Sequence, residues 1–176
     1  MLIYYIYAAI VVLIDQATKR IVVNRMELYE SIPVIGEFFQ ITSHRNKGAA
    51  FGILQNQRWF FIIVTLFVVV GVIWYLSKMV KERRKLLPVA LSLVLGGAIG
   101  NFIDRLLFGE VVDFFHFTFR FPWFGREIEY QYPIFNIADS AIVIGVGLIL
   151  LDSLLSWKEE AKAAKAAKTA ESGESQ

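Results

Sequence analysis

No cysteine occurs anywhere in the 176 residues. That absence removes disulfides, thiolate metal sites and a cysteine nucleophile, and it leaves the redox compartment open. Histidine is nearly as scarce. His44 and His116 are the two, neither in HExxH nor in another ligand spacing, so a metal site has little support and both read as loop residues. No serine stands in a nucleophile elbow or a serine–lysine dyad motif. The formal charge of +2 is too small to point to nucleic acid. Internal repeats are absent. The first apolar stretch also lacks a basic leader and a small-residue cleavage site, and it runs straight into Asp15 and Lys19, so it reads as a retained membrane helix.

What the chain has instead is apolar surface. Hydrophobic residues make up 56% of it, more than a water-soluble domain of this length can hide, so the solvent for most of the chain is lipid. A helical crossing needs about 20 mostly apolar residues. Four stretches qualify, at 1–23, 59–76, 86–108 and 133–157, the last two with Pro88 and Pro133 at their entries. Orientation follows from the density of basic residues. The short loop Ser77 to Lys85 carries Lys78, Lys81, Arg83, Arg84 and Lys85, and the tail after Trp157 carries Lys158, Lys162, Lys165 and Lys168. Both belong on the cytoplasmic side, with both termini. The expected fold is an all-α membrane protein of four transmembrane helices with a small extracytoplasmic β-sheet: one domain over 1–158 and a basic cytoplasmic tail over 159–176, solvated helix or disordered. The sheet is expected from DFFHFTFRF after residue 112, where Phe115, Phe117, Phe119 and Phe121 alternate with His116, Thr118 and Arg120. A returning strand follows over 127–132, and FFQITS is a weaker strand candidate.

Ionisable groups inside membrane spans are costly and are functional candidates by default. The topology puts Asp15 and Lys19, then Asn101, Asp104 and Arg105, then Asn136 and Asp139 near the outer surface, with Asp113 just beyond the third span. Polar groups from three helices and a loop thus reach one level. Asp15 and Lys19 have ion-pair spacing, as Asn101 and Arg105 have i, i+4 spacing. Gly97, Asn101 and Asp104 share a helix face, and Gly96 and Gly100 form a small-xxx-small pair. Several of these have structural alternatives. Asp15 with Lys19 is either a buried pair or a direct substrate contact; Asp104 and Arg105 read as structural; Asp152, near the other end, reads as solvated. Asp113 and Asp139 remain as a carboxylate pair. In a low-dielectric setting one would hold a proton while the other stays charged, an arrangement suited to peptide hydrolysis or, alternatively, to a proton or ion path in a small transport subunit. A membrane scaffold without catalysis is the third possibility.

Five elements in order carry a family resemblance. IDQATK (Asp15, Lys19), RNKGAAFG (Asn46, Gly48, Ala49, Ala50, Phe51, Gly52), GGAIGNFIDR (Gly97, Gly100, Asn101, Asp104, Arg105), VVDFF (Val112, Asp113, Phe114) and FNIADS (Phe135, Asn136, Ala138, Asp139, Ser140) resemble, without a departing motif position, those of lipoprotein signal peptidase, or signal peptidase II. The resemblance implies an aspartic endopeptidase of the bacterial inner membrane. It would remove signal peptides from diacylglyceryl-modified prolipoproteins by cleaving before the lipidated cysteine, with inhibition by globomycin. It implies Asp113 and Asp139 as catalytic, with Asn46, Asn101, Arg105 and Asn136 lining or supporting the site and Asp15 and Lys19 as helix-level support. It implies no metal or organic cofactor. The partners it implies are the lipidated substrate and membrane lipids, for an enzyme acting as a monomer. Its fold carries four membrane helices with a small sheet and a short helix on the outer face.

Overall fold

The computed structural model describes residues 1–48, 53–82 and 84–174, with side chains to residue 163. Ala49 to Gly52 of the second element and Arg83 of the basic loop lie outside the described residues. Four helices, α1 (Leu2–Arg25), α2 (Arg58–Lys81), α3 (Leu86–Leu107) and α4 (Ile137–Glu174), alternate with two strand pairs, β1 (Ser31–Ile35) with β2 (Phe39–Asn46) and β3 (Val111–Trp123) with β4 (Arg126–Gln131). Among the described residues, α2, α3 and the stretch Ile137–Ala163 of α4 are long and apolar enough to cross a membrane. The short outer helix is not found among the described residues.

The centre of the bundle is α3, which packs against the three other helices and buries most of its length, from Leu87 to Asp104. Its glycines explain why. A Cβ at Gly97 would lie 2.3 Å from the Ala138 carbonyl oxygen of α4, and one at Gly100 would lie 2.6 Å from the Asp15 carboxylate of α1. Neither approach tolerates a side chain, so small residues set the helix–helix distance. The outward faces of α2 and α4 expose Phe67, Trp74, Val143 and Leu150, as lipid-facing helices do, and α1 exposes Leu13. Leu76, Met79, Leu87, Leu91 and Leu95 form a dry cluster toward the α2–α3 turn, so α2 runs on to Lys81 instead of stopping at 76.

At the opposite end sits a four-stranded antiparallel sheet in the order β1-β2-β3-β4. β1 has no counterpart in the sequence pattern, and β3 extends beyond the DFFHFTFRF run at both ends. β2 pairs with the first half of β3 and β4 with its second half, through Trp123 opposite Arg126. The aromatic face exists: Phe115 and Phe117 stack among Phe39 and Phe135, and Phe119 meets Phe38. Burial, however, falls along β3 instead of alternating, because only its first half is backed by α1 and α3. His44 and His116 are strand residues, not loop residues, and His116 Nδ1 lies 3.1 Å from Thr42 Oγ1.

The fourth helix also departs from expectation at both ends. It begins at Ile137, not at 133, because Phe135 is drawn into the sheet: its N–H donates to the Phe115 carbonyl at 3.2 Å and its carbonyl accepts from the Phe115 N–H at 2.8 Å. It continues to Glu174, 38 residues in all. At 1.5 Å per residue that is about 57 Å, nearly twice the roughly 30 Å hydrocarbon layer. Asp152 is buried and not solvated. It faces Arg84 at 3.5 Å, and Arg84 also donates to Ser156 Oγ at 2.9 Å, which ties the α2–α3 turn to α4.

Candidate active site

Asp113 reaches the bundle through a strand irregularity. Ile41 pairs with Phe115 and His44 with Asp113, so Thr42 and Ser43 of β2 together oppose Phe114 alone. Such a bulge bends a strand and re-aims its side chains. Here it lies beside Asp113, whose side chain is 1% exposed. One carboxyl oxygen accepts from Asn136 Nδ2 at 2.7 Å and the other from Asn46 Nδ2 at 3.0 Å. Burial, then the nearby charge of Asp139, outweigh these hydrogen bonds and raise its pKa from the ordinary 3.8 to about 7.

Asp139 is positioned by a capping box. Asn136 precedes the first residue of α4, and its Oδ1 accepts from the Asp139 N–H at 2.9 Å, while the Asp139 carboxylate accepts from the Asn136 N–H at 3.3 Å. The other Asp139 oxygen accepts from Asn101 Nδ2 at 2.7 Å. Three asparagines thus join two carboxyl groups from separate elements: Asn136 donates to Asp113 and also to Asn101 Oδ1 at 3.1 Å.

Beneath the asparagines lies a buried charge cluster. The Lys19 ammonium is 2.8 Å from Asp15 Oδ2, 3.0 Å from Asp104 Oδ2 and 2.9 Å from Asn101 Oδ1. Asp15 also accepts from the Ala138 N–H at 2.9 Å, at the positive end of the α4 dipole. Asp104 also accepts from Gln16 Nε2 at 2.9 Å and from the Val112 N–H at 3.2 Å. Among the described residues no buried side-chain polar atom lacks a partner. Such saturation is what makes buried charge tolerable.

Above the asparagines the carboxyl pair faces a cavity of about 770 Å³, walled by Phe38, Phe117, Phe119, Phe135, Ile142 and Val143 and reached by Arg105. Arg105 donates to the Gly48 carbonyl at 3.0 Å and stands 4.6 Å from the Phe61 ring centre. The setting has two acids held by amides at the base of an apolar chamber, with one guanidinium at its rim. Among the described residues no three histidine, aspartate or glutamate side chains gather as a metal cage would require.

Residues 7–155 match the family described as Signal peptidase (SPase) II. The chain belongs to the signal peptidase II family. The lipoprotein signal peptidase of Bacillus pumilus (strain SAFR-032) is 53% identical over 156 residues, 89% of this chain and 95% of that one. That of Bacillus subtilis (strain 168) is 48% identical over 161 residues, 92% and 99% of the two chains. A solved bacterial membrane enzyme matches with a TM-score of 0.78 at 41% identity, over 90% of this chain and 92% of its own.

In this signal peptidase II chain, Asp15, Lys19, Asn46, Asn101, Asp104, Arg105, Asp113, Asn136 and Asp139 meet at one end of the bundle, and Asp152 lies at the other. Asp113, Asp139, Asn46, Asn101, Arg105 and Gly48 line the cavity, with Asn136 between the acids and Asp15, Lys19 and Asp104 behind it. Asn101 and Arg105, despite their spacing, face different partners. Sequence reading missed Gln16, Phe38 and Phe61. Gln16 stands inside the first element, which was a signal for it; Phe38 and Phe61 stand in apolar runs that offer none.

Proposed function

We propose that this membrane peptidase is an aspartic endopeptidase working through Asp113 and Asp139, and that it removes signal peptides from diacylglyceryl-modified prolipoproteins before the lipidated cysteine. The observation that carries the reading is the asymmetric acid pair: Asp113 is buried with its pKa near 7, Asp139 is half-exposed, and both face one chamber. Pairs whose environments differ divide acid and base roles. Asp139 takes a proton from water, and the hydroxide oxygen bonds to the scissile carbonyl carbon. Protonated Asp113 donates a hydrogen bond to the carbonyl oxygen as it gains charge. The proton on Asp139 then passes to the leaving nitrogen as the C–N bond breaks. Asn101 supports the negative charge of Asp139, and Asn46 and Asn136 hold Asp113 in place. Arg105 at the rim offers a donor for the substrate backbone, while Asp15, Lys19 and Asp104 brace the three helices.

The topology follows the same reading. All four helices cross the bacterial inner membrane, with both termini on the cytoplasmic side and the acids near the outer face. The membrane domain ends near 158, and residues 159–176 continue α4 as a polar extension. The enzyme works as a monomer. A lipid-anchored precursor suits the geometry, since its acyl chains partition beside the apolar wall while its scissile segment, unwound, reaches the acids. Asp113→Asn and Asp139→Asn variants, assayed on a purified lipidated precursor, test the assignment. Each should reduce cleavage at least about a thousandfold, as loss of an essential acid–base group does. Normal processing by either variant would end the dyad assignment.

A further inference from the structure

Arg58 belongs to none of the five sequence elements and does not line the cavity. As the first residue of α2, beside the exposed Trp59, it occupies the place of an interfacial anchor. Its side chain is half-buried and engaged inward instead. Nε donates to the Arg105 carbonyl and Nη2 to the Leu106 carbonyl, both at 2.8 Å. These carbonyls belong to the last turn of α3, where a cation also meets the negative end of the helix dipole. The stem of Arg58 lies over Gly109, where a Cβ would be 3.4 Å from Arg58 Cδ and where φ is +80°. The chain therefore turns from α3 into β3 under this side chain, four residues before Asp113.

One turn further along α2, Phe61 lies under the Arg105 guanidinium. The first turn of α2 thus holds Arg105 at both ends, its carbonyl through Arg58 and its guanidinium through Phe61. From Arg105 a chain of contacts leads to the acid: Arg105 to the Gly48 carbonyl at 3.0 Å, the Gly48 N–H to Asn46 Oδ1 at 2.9 Å, and Asn46 Nδ2 to Asp113 at 3.0 Å.

We infer that Arg58 is a positioning residue for the peptidase reaction: it clamps the end of α3 and the α3–β3 turn, and so fixes Arg105 at the cavity rim and Asp113 at the start of β3. This rests on the reading of Asp113 as a reacting acid. A fork of two donors is required, which arginine supplies and lysine does not. Small misplacements remote from the chemistry cost rate more than affinity.

The test compares Arg58→Met, Arg58→Lys and Trp59→Ala, with Asp113→Asn alongside, as full-length enzymes cleaving a lipidated precursor in micelles across pH. Arg58→Met should lower kcat about tenfold or more with KM changed less than about threefold. Its alkaline rate limb should move to lower pH, because a loosened β3 hydrates Asp113 while Asp139, Lys19 and His44 stay as they are and Arg105, released at the rim, adds no charge of its own to the change. Arg58→Lys should recover part of the rate, and Trp59→Ala should keep all of it. Unchanged kcat and pH profile in Arg58→Met would overturn the inference, as would a loss explained wholly by a smaller folded fraction with the profile unmoved. If Arg58→Met does not accumulate, Arg58→Lys alone decides, since a wild-type rate and profile there refutes the need for the fork. Loss of cleavage in Asp113→Asn with a normal Arg58→Met rejects only the clamp; normal cleavage in Asp113→Asn rejects the dyad itself.

Discussion

Lys19→Met offers the sharpest check on the buried cluster. Lys19 is 3% exposed and its ammonium touches Asp15, Asp104 and Asn101. Methionine keeps the length and apolar stem but removes the cation, which leaves two buried carboxylates facing the space it filled. Breaking a buried ion pair by deleting one partner costs about 3–5 kcal/mol, and two orphaned acids place this case at the upper end. With roughly 2–4 °C lost per kcal/mol in a chain of this length, the thermal midpoint should fall by about 10 °C or more. Asp104→Asn is different. Lys19 keeps Asp15 and Asn101, the new amide can still accept from Val112, and the cost should be about 1 kcal/mol. Adding Asp104→Asn to Lys19→Met should then restore part of the loss, because one of the two unpaired acids has gone. Tryptophan fluorescence melting of the purified enzymes in one detergent reads all three. A Lys19→Met midpoint within about 2 °C of wild type, or an Asp104→Asn variant as damaged as Lys19→Met, would refute this account of the cluster.

Four further outcomes follow from the same geometry. Because the Asp113 pKa is raised to about 7 and its protonated form is the one the proposed mechanism uses, kcat/KM should fall about tenfold per unit above that pH; a profile still rising at pH 8 would contradict the assignment. The fold's proton linkage has the same sign, with stability lost as pH rises from about 4 through about 7. Gly100→Ala puts a methyl 2.6 Å from the Asp15 carboxylate and 3.3 Å from Ala138 Cβ, so α1 and α4 must part, and a melting midpoint lowered by several degrees is expected. Asn136→Ser retains an N-cap side chain for α4 but no amide to reach Asp113. It should melt near wild type while its rate falls and its alkaline limb moves to higher pH, since the Asn136 hydrogen bond is one of the contacts that lower the Asp113 pKa.

How much of this was legible beforehand depends on which force fixes each element. The helices α2, α3 and α4 were, because lipid leaves a backbone no other partner and about 20 apolar residues announce the result; α1 forms as expected but is not among the helices long and apolar enough to cross. Their ends were less so. The end of α2 answers to Met79 packing in the core, and the start of α4 answers to Phe135 pairing with Phe115, a contact between residues 20 apart that no local pattern encodes. The period of two around Phe115 announced β3, but β1 is exposed along its whole length and reads as an ordinary polar–apolar loop. In the site, depth along each span predicted which polar groups would meet. It could not predict the order of contact, in which amides and not carboxylates touch the acids, because hydrogen-bond direction depends on side-chain geometry.

That order of contact has a physical logic. Two acids bonded directly to a lysine would both be held as anions, and neither could keep a proton for the carbonyl oxygen. Here Lys19 is occupied by Asp15, Asp104 and Asn101, and its contact with Asp139 runs through the Asn101 amide. With Lys19 and Asn136 donating to Asn101 Oδ1, the Nδ2 of Asn101 is left to point at Asp139. Asp113 receives two amide donors, the repulsion of Asp139 and the attraction of the Lys19 charge, and burial outweighs the contacts that favour its anion. Asn101 and Asn136 therefore stand between one buried cation and both acids, and in the proposed mechanism that separation leaves one acid protonated next to another that acts as the base.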